Sequence, residues 1–327
     1  MAETNIIKPT PTHVSVMLKE VITALAPKPG GVYVDGTLGS GGYTKAILDA
    51  APCKTISIDR DPEAIRAASI LMRDYTNRLH LAEGKFSDME SIVYREGSTL
   101  VDGVALDLGI SSTQLNDSKR GFSFMRDGPL DMRMGANKLT AADIVNMSSE
   151  KELTTIIQKY GEEKRAKKIA RNICIERNKT PIQSTSYLAK IIRKSIGPTS
   201  SPIDQATRTF QALRIAVNDE IGQLIRGLMA AERLLKTGGR LVVVSFHSLE
   251  DREVKSFMKL RSGTFSRGSR HEPISATKIP DPSFKLLFQG VQKPTSREVG
   301  ANPRARSAKL RAAERTNTPA IKEEAAV

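Results

Sequence analysis

From Val32 to Leu106 short β-branched runs alternate with stretches of helical periodicity, and this alternation restricts the fold more than any other feature of the chain. Val32-Tyr33-Val34, Thr55–Ile58, Leu79–Ala82 and Gly103–Leu106 read as strands, with helices expected over about 43–50 and 62–75. Such a β-α-β-α order implies a parallel sheet with helices on both faces. Ahead of it, Val14, Met17, Leu18, Val21, Ile22 and Leu25 fall at helical spacing, so a helix is expected over 14–26, ended by Pro27-Lys28-Pro29-Gly30-Gly31. The first strand runs into Asp35-Gly-Thr-Leu-Gly-Ser-Gly-Gly42, a glycine turn between strand and helix. There the backbone can approach a nucleotide-like ligand, and the N–H groups opening the helix favour a negative group such as a carboxylate.

The alternation stops near residue 115. Residues 115–206 contain no convincing strand, and helical runs are expected over 140–146, 149–160, 162–177 and 184–195. In the third run Ala166, Ile169, Ala170 and Ile173 share one face and Lys164, Lys167, Lys168 and Arg171 the opposite one, which is either solvated or turned to RNA. A helix over about 206–236 then leads to Gly238-Gly239 and a buried strand over 240–246, with further strands possible at 284–289 and 308–314. The Ser-, Gly-, Pro- and Arg-rich stretch 262–282 reads as a mobile loop and 318–327 as a disordered tail. The expected organisation is a discontinuous sheet domain, 1–114 with 207–317, around an inserted helical substrate-recognition domain, 115–206.

The excess positive charge is confined to two segments. Residues 115–206 carry 17 basic and 10 acidic side chains and residues 258–327 carry 14 and 6, which accounts for the net +14. The segments forming the nucleotide fold are close to neutral, as in an enzyme that separates its cofactor site from a polyanion surface. Cys53 and Cys174 lie far apart and His13, His80, His247 and His271 are scattered, so neither a disulfide framework nor a metal site is expected. No apolar run approaches the ~20 residues of a membrane span and the N-terminus has no signal-peptide pattern, so a cytoplasmic location is expected.

The dinucleotide fingerprint G-x-G-x-x-G fails here, because counting from Gly39 and Gly41 the third position falls on Thr44. An acid at the strand end followed by Gly39-x-Gly41 resembles instead the first motif of S-adenosylmethionine-dependent methyltransferases. On that reading Gly41, Gly42 and the backbone at Tyr43 approach the methionine part, and Asp35 attracts its positive charge. Asp59, at the end of the second strand, is placed to accept from both ribose hydroxyls. Asp107, at the end of the fourth, faces the same crevice.

Longer motifs widen the resemblance. Asp35 to Gly42, Asp59-Arg-Asp-Pro62, Asp107-Leu-Gly-Ile-Ser-Ser112, Gly121 to Arg133, Thr207 to Ala212, Ser245 to Arg252 and Asn302 to Ser307 are together similar to the bacterial 16S ribosomal RNA (cytosine-N4)-methyltransferase (MraW) family, from His13 to about Asn317. The resemblance implies a class I, Rossmann-like methyltransferase sheet with a small helical insertion. It implies methyl transfer from S-adenosylmethionine to N4 of a cytidine in the decoding region of 16S rRNA, within the small ribosomal subunit. Its cofactor contacts map onto Gly41, Gly42, Tyr43, Asp59, Phe86, Asp107 and Gln114. Tyr43 stands where some members carry histidine, a change that a backbone contact survives. A nicotinamide-dependent oxidoreductase and a non-catalytic ribosome-assembly factor are the competing classes.

The lone pair of a cytosine amino group is delocalised into the ring, so the enzyme must orient the amine and accept a proton. Asp107, or the backbone carbonyls after it, is expected to hold N4, with His247 as an alternative proton acceptor. Phe122, Phe124 or Phe246 is expected to stack on the base. Arg126 and Arg133 in the 122–133 loop, and Arg304, Arg306, Lys309 and Arg311 near the C-terminus, are the candidate phosphate contacts.

Overall fold

The computed structural model describes residues 15–137, 139–200, 202–264 and 281–321. Seven strands form a single sheet in the order β3-β2-β1-β4-β5-β7-β6. They are β1 (Val32–Asp35), β2 (Lys54–Asp59), β3 (Leu79–Glu83), β4 (Val101–Asp107), β5 (Leu235–Ser245), β6 (Phe284–Leu286) and β7 (Lys309–Arg315). The first five are parallel, and β7 inserts antiparallel between β5 and β6. Successive residues of each strand point to opposite faces. Val34, Leu106 and Val243 therefore join one core, with Met89, Ile92, Leu228 and Phe257. Tyr33, Ala105 and Val242 join another on the opposite face, with Val21, Leu25 and Ile47.

The helices on these faces are α1 (Leu18–Leu25), α2 (Gly42–Ala50), α3 (Pro62–Ala68), α4 (Leu71–Asp74) and α5 (Met89–Arg95). The helix expected over 62–75 is broken at Ser69, whose hydroxyl bonds the Arg66 carbonyl at 2.7 Å in competition with the helical backbone. Sequence reading missed α5, which buries Met89, Ile92 and Val93 at helical spacing.

After β4 come α6 (Ser112–Asn116), α7 (Ala141–Met147), α8 (Glu150–Gly161), α9 (Ala166–Arg177), α10 (Thr185–Ile196), α11 (Thr207–Asn218) and α12 (Glu220–Leu234), then α13 (Ser248–Arg261) and α14 (Ser296–Ala301). The single helix expected over 206–236 is two, because Asp219 adopts φ +48° between α11 and α12. This division matters for the boundary of the helical unit. Phe210, Leu213 and Val217 of α11 pack into a separate core with Leu130, Ile157, Ile169 and Leu188, so that core continues past residue 206.

Of the expected loop, residues 265–280 lie outside the described residues, as do 322–327 of the expected tail. Thr318 and Ile321 are anchored, through the Arg315 guanidinium and the Glu232 carboxylate. No helix among the described residues is long and apolar enough to cross a membrane.

Candidate active site

The parallel strands bring Asp35, Asp59, Asp107 and Ser245 to the same edge of the sheet, where a crevice opens between the glycine turn, the segments that follow β3, β4 and β5, and residues 220–224. The turn is fixed from within. Gly39 N–H donates to Asp59 Oδ2 at 2.8 Å, Leu38 N–H to the Ile58 carbonyl at 2.9 Å, and Asp107 N–H to Thr37 Oγ1 at 2.6 Å. Gly41 caps α2 at φ +80°, a conformation that favours glycine. Among the described residues no side chain caps this helix, so the N–H groups of Gly42 and Tyr43, which line the crevice, are open to an anionic group.

Asp35 lies beneath the turn. It is fully buried, accepts from Thr44 Oγ1 at 2.7 Å and from Thr37 N–H at 3.2 Å, and does not line the crevice. Thr44, at the failed third glycine position, also meets Ser57 Oγ at 2.7 Å and so ties α2 to β1 and β2. Asp35 is therefore not placed to meet a ligand's positive charge as expected, whereas Asp59 and Asp107 do line the crevice.

Burial pushes the Asp35 carboxyl up to about 6, against the pull of the Thr44 and Thr37 bonds. The folded chain therefore keeps this proton where the unfolded chain has lost it, and Asp35 withdraws stability as pH rises from about 3.8 to about 6. The loss is at most about 3 kcal/mol. An Asp35→Asn variant is expected to gain on the unsubstituted chain by up to that amount between pH 4 and pH 7, measured by urea unfolding. An equal pH dependence in both proteins would rule out the buried proton.

Asp59 sits in the crevice, with Oδ1 and Oδ2 each accepting one N–H, from Asp61 and Gly39, both at 2.8 Å. Each carboxylate oxygen keeps a further lone pair for a hydroxyl. Burial raises its carboxyl above the usual range. Gln114, also in the crevice, donates from Nε2 to Asp61 Oδ2 at 2.8 Å and closes a capping box with Ser111. Phe86 forms part of the apolar wall. Tyr43 spends its hydroxyl on the Val16 carbonyl at 2.5 Å, leaving its backbone to the ligand.

Asp107 differs from the other acids. Its Oδ1 is buried without a hydrogen-bond partner among the described residues, and burial, then the charges of Asp35 and Glu250, hold its carboxyl well above the usual range. An unsatisfied buried acceptor is costly. A cation or a donated proton from a ligand in the crevice would relieve that cost.

His247 is placed otherwise than a crevice base requires. It caps α13, with Nδ1 accepting from Glu250 N–H at 3.3 Å, and it does not line the crevice. Its Nε2 lies 3.0 Å from Glu250 Oε1 without hydrogen-bond alignment. Burial works to raise the Glu250 carboxyl, yet His247, Arg214 and the Phe246 N–H together hold it below the usual range. Glu220, His247 and Glu250 approach within 4.8 Å, but Arg214 takes both Glu220 oxygens at 2.8 Å, so that carboxylate is already held in an ion pair.

Two of the three stacking candidates are packing residues. Phe122 is buried in the helical core, and Phe124 meets Phe210 edge-on at 4.9 Å beneath Arg193. Phe246 lines the crevice beside Gly109. Among the cations, Arg133 pairs with Asp131 at 2.7 Å, and Lys309 and Arg311 pair with Asp251 at 3.0 and 2.8 Å. Arg304 reaches Ser112 and Asn116 at the crevice rim. Arg126 and Arg306 are exposed.

The model of the MraW methylase family matches residues 10–316. The chain belongs to the MraW methylase family. Curated relatives named ribosomal RNA small subunit methyltransferase H are similar throughout. That of Paramagnetospirillum magneticum is 53% identical over 308 residues, covering 94% of this chain and 97% of the relative. That of Rhodospirillum rubrum is 50% identical over 311 residues, covering 94% and 95%. This methylase has the class I sheet, and S-adenosylmethionine is its cofactor. The crevice suits that ligand: the helix N–H groups could meet its carboxylate, and the free lone pairs of Asp59 could meet its ribose.

Glu220, Gln223, Glu250 and Met134, which also line the crevice, were not legible as site residues. Only Glu250 left a trace in sequence, as the fourth residue of the His247-Ser-Leu-Glu capping pattern.

Proposed function

We propose that this methylase modifies the small-subunit ribosomal RNA, at the exocyclic N4 of a cytidine in the decoding region of 16S rRNA. The observation that carries the amine chemistry is the unpartnered Asp107 Oδ1 next to the Leu108–Ile110 loop and Phe246, all on the crevice. The relatives' names support the RNA, and the family resemblance supports the cytidine position.

When bound, S-adenosylmethionine supplies an electrophilic methyl group and leaves as S-adenosylhomocysteine. The chain's task is to orient the amine and to accept the proton it loses. Ionised Asp107 draws one N4 hydrogen toward itself, which fixes the direction of the nitrogen lone pair and gives the departing proton an acceptor. Phe246 stacks on the splayed base and holds its plane. Glu250, bonded to the Phe246 and His247 N–H groups at 2.8 and 3.3 Å, fixes the backbone that carries this ring. His247 acts through that same cap as a positioning residue.

Stacking on an aromatic ring contributes ~1–3 kcal/mol per base, so Phe246→Ala is expected to lower kcat/KM for RNA by roughly 10- to 100-fold. Cofactor affinity, read by calorimetry, should change little. An unaltered kcat/KM would remove Phe246 from the base site.

Incubation with labelled S-adenosylmethionine and either naked rRNA or small subunits, followed by mapping of the modified nucleoside, tests the whole reading. The expected product is N4-methylated cytidine at one position. Label on another nucleoside, on protein or on no RNA would overturn it.

A further inference from the structure

We infer that Gln223 recognises the adenine of the methyl donor, an inference that rests on the cofactor assignment and names the residue selecting its base. Gln223 lies on α12, is 4% exposed and lines the crevice, yet among the described residues no donor reaches its buried Oε1. Leaving a buried amide oxygen unpaired costs about 1–3 kcal/mol, so a donor on the ligand is what completes this side chain.

The position on the helix identifies which part of the ligand that is. Gly227 lies one turn further along the same face of α12. A Cβ on Gly227 would fall 2.4 Å from Phe86 Cδ2, so the aromatic ring presses directly on this stretch of helix. Gln223 and Phe86 consequently wall the same end of the crevice, together with Leu224 and Met134. Apolar walls with one amide form a slot for a flat heteroaromatic ring carrying a donor on its edge. A carboxamide is complementary to adenine, accepting from the exocyclic amine and donating to a neighbouring ring nitrogen. The ribose then falls to Asp59 and the methionine part to the N–H groups of Gly42 and Tyr43, which line the same crevice.

The test is calorimetric binding of S-adenosylhomocysteine and of its analogue with hydrogen in place of the 6-amino group, to the unsubstituted full chain and to Gln223→Leu. The unsubstituted chain should prefer the amino form by about tenfold. Gln223→Leu should lose about that factor for S-adenosylhomocysteine and bind the two ligands equally. The affinity ratio is read within one protein, so a general loosening of the fold leaves it unchanged, and melting of the ligand-free proteins checks folding separately. An unsubstituted ratio preserved in Gln223→Leu overturns the inference. So does a variant that binds both ligands normally but fails to methylate RNA, which places the amide on the target base. If the unsubstituted chain binds neither ligand, the cofactor assignment falls and this inference with it.

Discussion

Asp107→Asn is expected to slow methyl transfer by roughly 10²- to 10⁴-fold, the usual contribution of a positioned proton acceptor. The argument rests on what surrounds the carboxylate. Its Oδ1 has no partner among the described residues, and burial together with Asp35 and Glu250 already disfavours the charge. Asparagine keeps the shape and loses the charge that accepts the proton, so orientation is partly retained while acceptance is abolished. Folding should survive, because the variant removes a carboxylate that the fold penalises when ionised, and its melting temperature near neutral pH should equal or exceed that of the unsubstituted chain. The raised carboxyl also fixes the sign of the pH dependence. Only the ionised form accepts a proton, so turnover falls as pH drops through that raised value, and the variant's profile should lack this limb. Single-turnover rates across pH, at cofactor saturation, measure both effects. A variant with full turnover and an unchanged profile would leave Asp107 a holding residue alone.

The sheet and the glycine turn were legible because each depends on local pattern. Period-two burial at Tyr33-Val34 and Leu241-Val242-Val243 follows from strand geometry, and Gly41 marks a backbone that side chains disfavour. The side-chain roles were less legible because they depend on direction, which spacing does not encode. Asp35 and Asp107 both end a strand, yet the first points beneath the turn into Thr44 and Thr37 while the second faces the crevice. Phe122 and Phe124 sit in a loop rich in arginine, but the helical core closes over the first and Phe210 covers the second. His247 stood correctly at the end of β5, and the N-terminus of α13 claimed its ring nitrogen. Gln223 and Glu220 were unreadable for another reason. They stand at the start of α12, just after Asp219 breaks the long helix at φ +48°, a tertiary feature that the helical periodicity does not mark.

Replacing Lys164, Lys167, Lys168 and Arg171 together by alanine is expected to weaken RNA binding by roughly 10²- to 10³-fold at moderate salt, through lost phosphate neutralisation. Lys167, Lys168 and Arg171 stand on α9, which begins at Ala166 rather than at 162, and Lys164 lies in the turn before it; the opposite face of α9 is spent on packing, since Ala166, Ile169, Ala170 and Ile173 are buried in the helical core. All four cations are exposed, and among the described residues none of them forms an ion pair. Like charges one turn apart on a helix cost ~0.2–0.5 kcal/mol per pair, a cost that a polyanion laid along the face would offset. If each side chain meets one phosphate, the slope of log K against log salt should fall by about 3, from ~0.7–0.9 per contact. Alanine is the best helix former, so α9 itself should persist. None of the four lines the crevice, so the rate at saturating RNA should hold while KM rises. That division separates a docking face from a catalytic one, and an unchanged salt slope in the quadruple variant would show that the face is merely solvated.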